Sequence, residues 1–184
     1  FKTTVSNTYT TKTDFNNLSV GGRNLLKDTV SYASWSLGNC NKTLGQTDPY
    51  GGNKAVLISG NTQANSYILK AGQVLYKKGY HTLSVWLKGT KAGQVYVSFN
   101  NGGSRNMNAG KLCTLTTEWQ RFEITENTTT LNTAYAFVLG GWSSWTDLSL
   151  GVYMAFPMLT EGNKAMPWTP APEDVDASIT AVDS

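Results

Sequence analysis

Apolar side chains in this sequence fall at every second position in short runs, and nowhere in the body at the spacing of an amphipathic helix. Extended backbone sends successive side chains to opposite faces, so each run reads as a strand buried on one side. Eight runs qualify: 30–37, 54–59, 66–69, 80–88, 93–99, 119–125, 134–139 and 148–158. Turn-forming stretches separate them, among them DPYGGN at 48–53, NNGGSRNMN at 100–108 and GGWSSW at 140–145. Many short strands joined by Gly/Asn turns predict an all-β chain, a β-sandwich or jelly roll. Composition agrees, since only 15% of residues are charged while Asn, Thr, Ser and Gly abound.

With 184 residues the chain can bury one sizeable core. Residues 1–20 are polar with scattered hydrophobes and read as a connector; GG at 21–22 closes it. The predicted sandwich spans 21–171. Pro167, Pro170 and Pro172 then make a stiff exit, and 172–184 reads as an acidic linker or the start of a helix, with Glu173, Asp174, Asp176 and Asp183 and no base. The chain starts at Phe1, not Met, and has no signal-peptide pattern, so it reads as a piece of a longer, multi-module protein. The body is mildly basic, with thirteen Lys/Arg against seven Asp/Glu, but has no basic cluster to track a phosphate backbone, and no nucleic-acid partner is expected. No apolar run approaches the roughly 18 residues of a membrane span, so no membrane insertion is expected. Cys40 and Cys113 make no disulfide framework and read as free thiols.

The alternation assigns faces. Leu83, Val85 and Leu87 point one way in 80–88, while Thr82, Ser84, Trp86 and Lys88 point the other. In 93–99, Val95, Val97 and Phe99 oppose Gln94, Tyr96 and Ser98, with Asn100 following. In 119–125, Phe122 and Ile124 oppose Arg121, Glu123 and Thr125. One sheet built from these strands would have a dry face toward the core and a wet face carrying Trp86, Tyr96 and Arg121. A sugar ring presents a C–H face that packs on Trp or Tyr and a rim of hydroxyls for amides, Arg and carboxylates, so this wet face fits a saccharide. Trp142 and Trp145, three apart in GGWSSWTD, belong at its rim, and Tyr50 in DPYGG is within reach on a turn. Trp35 shares a face with Ala33 and Leu37 and reads as core; Trp119 and Trp168 read as packing residues.

Catalysis has little to work with. His81 is the one histidine, on the aliphatic face, where a structural role fits best. No GxSxG, P-loop or HExxH occurs. Glycoside hydrolysis needs two carboxylates at a fixed separation, and only Glu123, beside Arg121, is placed for a site.

The stretches VGGRNLLKDT (20–29), YHTLSVWLKGT (80–90), TTEWQRFEIT (116–125) and PMLTEGNKAMPWTPAPEDV (157–175) resemble the carbohydrate-binding modules inserted in distal tail and baseplate proteins of phages of Gram-positive bacteria. The closing element, LTEGNKAMPWTPAPED against a typical LExGxxxxxWxPxPED, is the most specific part; Thr160 displaces the acidic position by one. This resemblance implies a jelly-roll β-sandwich of two antiparallel sheets, with the ligand on the concave sheet and its loops. It implies host cell-wall polysaccharide as ligand, other domains of a parent tail protein as partners, and a place on the virion, acting at the host cell surface. Related modules often hold a structural calcium, for which Asn24 or Glu161 would be candidate ligands here. No Asp-rich loop accompanies them, so no cofactor is expected.

Three readings therefore compete: a non-catalytic sugar-binding module for adsorption, a structural spacer or protein-interaction domain of the tail, and a polysaccharide-degrading enzyme relying on Glu123 with Asp147.

Overall fold

A computed structural model describes residues 21–60, 66–72, 75, 77–101, 110–131, 135–141 and 148–182. Their ten strands are β1 (Ser36–Gly38), β2 (Cys40–Gln46), β3 (Ala55–Gly60), β4 (Ser66–Ala71), β5 (Gly79–Gly89), β6 (Gly93–Asn101), β7 (Gly110–Leu115), β8 (Gln120–Thr128), β9 (Tyr135–Gly141) and β10 (Val152–Glu161). They form two antiparallel five-stranded sheets, ordered β1-β4-β9-β6-β7 and β2-β3-β10-β5-β8. The fold is a jelly-roll β-sandwich. Among the described residues no helix is long and apolar enough to cross a membrane.

The inward faces meet in one core. Leu83, Val85 and Leu87 of β5 are at most 1% exposed, as are Val95, Val97 and Phe99 of β6. Val152, Met154 and Leu159 of β10 and Phe137 and Leu139 of β9 complete it. Trp35 is buried in this core, its ring 5.1 Å from Phe137 and 5.2 Å from Tyr32. Burying these side chains removes most of their apolar surface from water, about 1.5–3 kcal/mol for each large one.

The run 30–37 is corrected: only Ser36–Gly38 is strand. Residues 29–34 turn instead, with Tyr32 at φ 49° and its amide donating to the Asp28 carbonyl at 2.8 Å. The turn drops Tyr32 into the core, and the Trp35 indole N–H donates to the Lys27 carbonyl at 2.9 Å. Sequence alternation also missed β2 and β7.

The acidic segment is helical over Pro172–Val182 (α1), the second of the two expectations for it, and its first turn contacts the body. Pro172 opens α1 without an amide to leave unpaired, and Glu173 and Asp174 suit the positive end of the helix dipole. Asp174 Oδ2 accepts the Asp28 amide at 2.9 Å, and Arg23 reaches Glu173 at 2.5 Å.

Candidate functional site

Register fixes what stands outside the sheet β2-β3-β10-β5-β8. Ala155, Trp86 and Arg121 lie in one row across β10, β5 and β8; Tyr153 and Lys88 lie in the next, and Met158, Ser84 and Glu123 in the row on the other side. The strand β10 is interrupted here. Its register shifts between Ala155 and Met158, and Phe156 adopts φ 54°. A positive φ is a genuine outlier for so bulky a residue. The bulge swings Phe156 out of the ladder and onto the outer face, where it is 5% exposed.

Two segments converge on it. Asp48 builds the DPYGG turn from within. Its Oδ1 accepts the amides of Tyr50 (2.9 Å) and Gly52 (3.2 Å), and its Oδ2 accepts that of Lys54 (3.1 Å). The turn holds the Tyr50 ring 6.0 Å from Trp86 and 5.5 Å from Phe156 while leaving it 74% exposed. From the other side comes the segment after β10. Trp168 packs 4.9 Å from Phe156, and its indole N–H donates to Thr29 Oγ1 at 3.2 Å.

Arg121 ties this segment down. Its Nη2 donates to the Met166 carbonyl at 2.8 Å and its Nη1 to Glu123 Oε1 at 2.6 Å. The result is a cleft of about 410 Å3 lined by Tyr50, Trp86, Phe156, Trp168, Ser84 and Arg121, with Ala165 and Pro167 on its wall. That size lies within the roughly 300–1,000 Å3 of small-molecule sites. Lys54 Nζ sits 5.5 Å over the Trp168 ring; Lys88 Nζ lies 5.1 Å over Trp119 and 4.8 Å over Tyr153.

So the structure brings Tyr50, Trp86 and Arg121 together. Tyr96 is corrected: β6 belongs to the other sheet, so Tyr96 faces out on the opposite side of the sandwich from Trp86. There a Cβ at Gly110 would lie 2.0 Å from the Tyr96 hydroxyl, and one at Gly38 would lie 2.4 Å from the Tyr67 ring. Both tyrosines therefore lie flat across glycines. Burial raises the Tyr96 hydroxyl above its usual pKa, with Glu126 and Cys113 adding to it. Asn100 is in β6 as well. Trp142 and Trp145 lie outside the described residues.

Sequence reasoning missed Phe156, and it read Trp168 as packing alone. Pro157 inside the run 148–158 was the available signal, because proline cannot donate to a central ladder and marks a bulge there. Trp119 packs against Tyr153 and Lys88, as a packing residue should.

Among the described residues the candidate reactive side chains are engaged or buried; Asp147, the partner of Glu123 in the enzyme reading, lies outside the described residues. His81 is 1% exposed, its Nδ1 3.0 Å from the Gly79 carbonyl, and burial lowers its pKa. Cys40 and Cys113 are free thiols in different sheets, with burial pushing Cys113 up to about 11. Glu123 is engaged by Arg121. Nor do the candidate calcium ligands fit a metal. Asn24 spends its amide on the backbone, accepting from Leu26 and Leu159 and donating to Pro157 and Thr169, while Glu161 pairs with Lys77 at 2.6 Å. Among the described residues no three His, Cys, Asp or Glu side chains group as metal ligands.

No family model matches the sequence, and no curated protein matches it. Solved structures match in fold. The CBM22-1 xylan-binding domain of Paenibacillus barcinonensis Xyn10C is 12% identical over 80% of this chain and 99% of its own, with a TM-score of 0.55. The family 11 carbohydrate-binding module of Clostridium thermocellum, solved with a β-1,3-1,4-mixed-linked tetrasaccharide, is 11% identical over 80% and 100%, with a TM-score of 0.54. TmCBM61, solved with β-1,4-galactotriose, is 16% identical over 76% and 99%, with a TM-score of 0.53. This chain thus shares the jelly-roll sandwich of carbohydrate-binding modules; at these identities the likeness is one of fold.

Proposed function

We propose that this domain is a non-catalytic carbohydrate-binding module of a phage tail protein that holds host cell-wall polysaccharide during adsorption. The observation that carries the saccharide reading is the cleft of Tyr50, Trp86, Phe156 and Trp168, with Arg121 and Ser84 beside it. The exposed Tyr50 ring and the half-buried Trp86 and Trp168 supply stacking faces for a sugar ring over the buried Phe156, and the Arg121 guanidinium beside them supplies directed hydrogen bonds. The fold neighbours named above bind xylan, a mixed-linked glucan fragment and a galactotriose, which agrees with this use of the sandwich. The tail placement rests on the closing LTEGNKAMPWTPAPED element. Absence of catalysis rests on the engaged Glu123 and the buried His81.

A second reading puts the saccharide on the opposite sheet, across Tyr67 and Tyr96. Its support is the pair of glycines, Gly38 and Gly110, that leave those rings lying flat. One experiment separates the two. The fluorescently tagged domain, a Trp86→Ala variant and a Tyr96→Ala variant are applied to a panel of Gram-positive cells and to their purified walls, with folding checked by circular dichroism. Loss of binding confined to Trp86→Ala supports the cleft; loss confined to Tyr96→Ala moves the site to the other sheet. If the wild type decorates no strain and no wall, the adsorption reading fails and the spacer reading replaces it. Reducing ends released from walls would refute the non-catalytic assignment.

A further inference from the structure

We propose that the saccharide taken by the Tyr50–Trp86–Trp168 cleft is anionic, bearing phosphate or carboxylate groups along its chain. This inference rests on the saccharide reading of that cleft. Its basis is the distribution of charge around the rings. Lys54 lies over Trp168, a wall of the cleft. Lys88 is two residues from Trp86 on the same face of β5, and its ammonium is shared between Trp119 and Tyr153. Arg121 stands directly across from Trp86 on β8. Arg121 lines the cleft and is paired with Glu123, while Lys54 and Lys88 stand on rings beside it, so the Arg121–Glu123 pair is neutral and the two lysines carry the excess charge of this face.

Acid is scarce on the same face. The outward positions of β5 and β8 between Thr82 and Lys88 and between Trp119 and Thr125 include one carboxylate, Glu123, already engaged by Arg121. The outward register positions of β10, Tyr153, Ala155, Met158 and Thr160, and those of β3, Ala55, Leu57 and Ser59, hold none. Asp48, behind the Tyr50 turn, is 4% exposed and directs both oxygens at backbone amides. A neutral saccharide needs rings and amides. It can also take hydrogen bonds from a guanidinium, but lysine ammoniums docked on neighbouring rings gain more from a charged acceptor than from a hydroxyl. An ammonium docked on an aromatic face is held in place and partly stripped of water, so it meets an anion at less cost than a free lysine does.

The probes are polygalacturonate, its fully methyl-esterified and so uncharged counterpart, poly(glycerol phosphate), and a neutral panel of xylan, mixed-linkage glucan and β-1,4-galactan. Affinities of the folded domain are measured at low and high NaCl. The two lysine contacts predict that at least one polyanion binds about fourfold or more tightly than the uncharged polymers, with the preference shrinking in salt. Whichever polyanion binds more tightly assigns phosphate or carboxylate. Lys54→Gln and Lys88→Gln should each weaken that binding about two- to fivefold. Lys111→Gln, on exposed β7 of the opposite sheet, should leave it unchanged. Lys54 is exposed, so its variant keeps the test open if Lys88→Gln disturbs folding. Equal affinity for charged and uncharged polymers overturns the proposal but leaves the saccharide reading standing. An effect of Lys111→Gln equal to that of Lys88→Gln overturns it as well, since the charge preference would then be a property of the whole surface. Binding to none of the probes overturns the proposal, and the saccharide reading then stands or falls on the binding of cells and walls.

Discussion

The turn that lifts Tyr50 over Trp86 depends on Asp48, and removing that carboxylate tests the construction of the cleft. In Asp48→Ala the amides of Tyr50, Gly52 and Lys54 lose acceptors at 2.9, 3.2 and 3.1 Å. Hydrogen bonds to charged groups contribute roughly 1.5–3 kcal/mol each. Tyr50, Gly52 and Lys54 are exposed, however, so water takes back part of each bond. The neutral-bond range of about 0.5–1.5 kcal/mol is therefore the better unit, and three such bonds give a loss near 3 kcal/mol. For a domain of this size that is a fall in Tm of about 6–12 °C. Asp48→Asn keeps an oxygen for Tyr50 and Gly52 and presents a donor to the Lys54 amide, so it should lose less than Asp48→Ala. Urea unfolding with unchanged m-values measures the stability term, and titration with whichever wall saccharide the domain binds measures the consequence. Asp48→Ala should weaken binding well beyond any stability-matched core variant, because Tyr50 would no longer be held at its ring contact. A loss below about 0.5 kcal/mol would refute the account of the turn. Full destabilisation with unchanged affinity would refute the role given to Tyr50.

Trp35→Ala, by contrast, removes a core ring that does not line the cleft and should cost about 3–5 kcal/mol by urea unfolding, with affinity unchanged under conditions where the protein remains folded. Gly110→Ala must displace the Tyr96 hydroxyl from 2.0 Å, so it should impair binding only if the saccharide lies on that sheet; cell-decoration assays read this directly. His81 gives a pH dependence. Burial holds its folded pKa below the usual 6.5, so the unfolded chain takes up its proton first as pH falls. The stability from keeping His81 neutral is complete above about 6.5 and is lost as pH drops through the folded value, so urea midpoints between pH 7.5 and 5.5 should fall further for the wild type than for His81→Gln.

How much of this was legible in the sequence follows from what alternation can encode. It reports which side of a strand is dry, and it was correct for Leu83, Val85 and Leu87 and for Val95, Val97 and Phe99. It is silent on which sheet a strand joins. Only residues 90–92 separate β5 from β6, yet the chain changes sheets there, and the two wet faces end on opposite sides of the sandwich. That crossing split Trp86 from Tyr96. Alternation also fails at edge strands that carry few large apolar side chains, although the edge strand β8, with Phe122 and Ile124, was read correctly. The strands β2, with four of seven residues exposed, and β7 are both edges, and both escaped detection. The 30–37 run failed for another reason: Tyr32 and Trp35 are buried because a turn carries them inward, so their apolar character reported the core and not an extended backbone.

The closing element LTEGNKAMPWTPAPED acquires a physical reading from these contacts. Its parts grip the entry segment at several points. Thr169 accepts the Asn24 amide, Trp168 donates to Thr29, Asp174 takes the Asp28 amide and Glu173 meets Arg23. The surface ion pair, with both side chains more than a third exposed, adds little by itself. The backbone-directed bonds of Asn24 are buried and fix the crossing. The same stretch supplies Ala165, Pro167 and Trp168 to the cleft. A clasp that joins the two ends of the body is thus also a wall of the candidate site. Phe156 extends the argument to β10. Holding a bulky residue at positive φ costs about 1–3 kcal/mol, and the fold tolerates it because the ring gains Tyr50 on one side and Trp168 on the other. Burying a Phe ring contributes about 1.5–3 kcal/mol, enough to offset that strain, because Phe156 joins Ala55, Ala155, Trp86 and Trp168 in a second buried cluster on the outer face of the sheet. The bulge thus builds the floor on which the exposed Tyr50 ring rests.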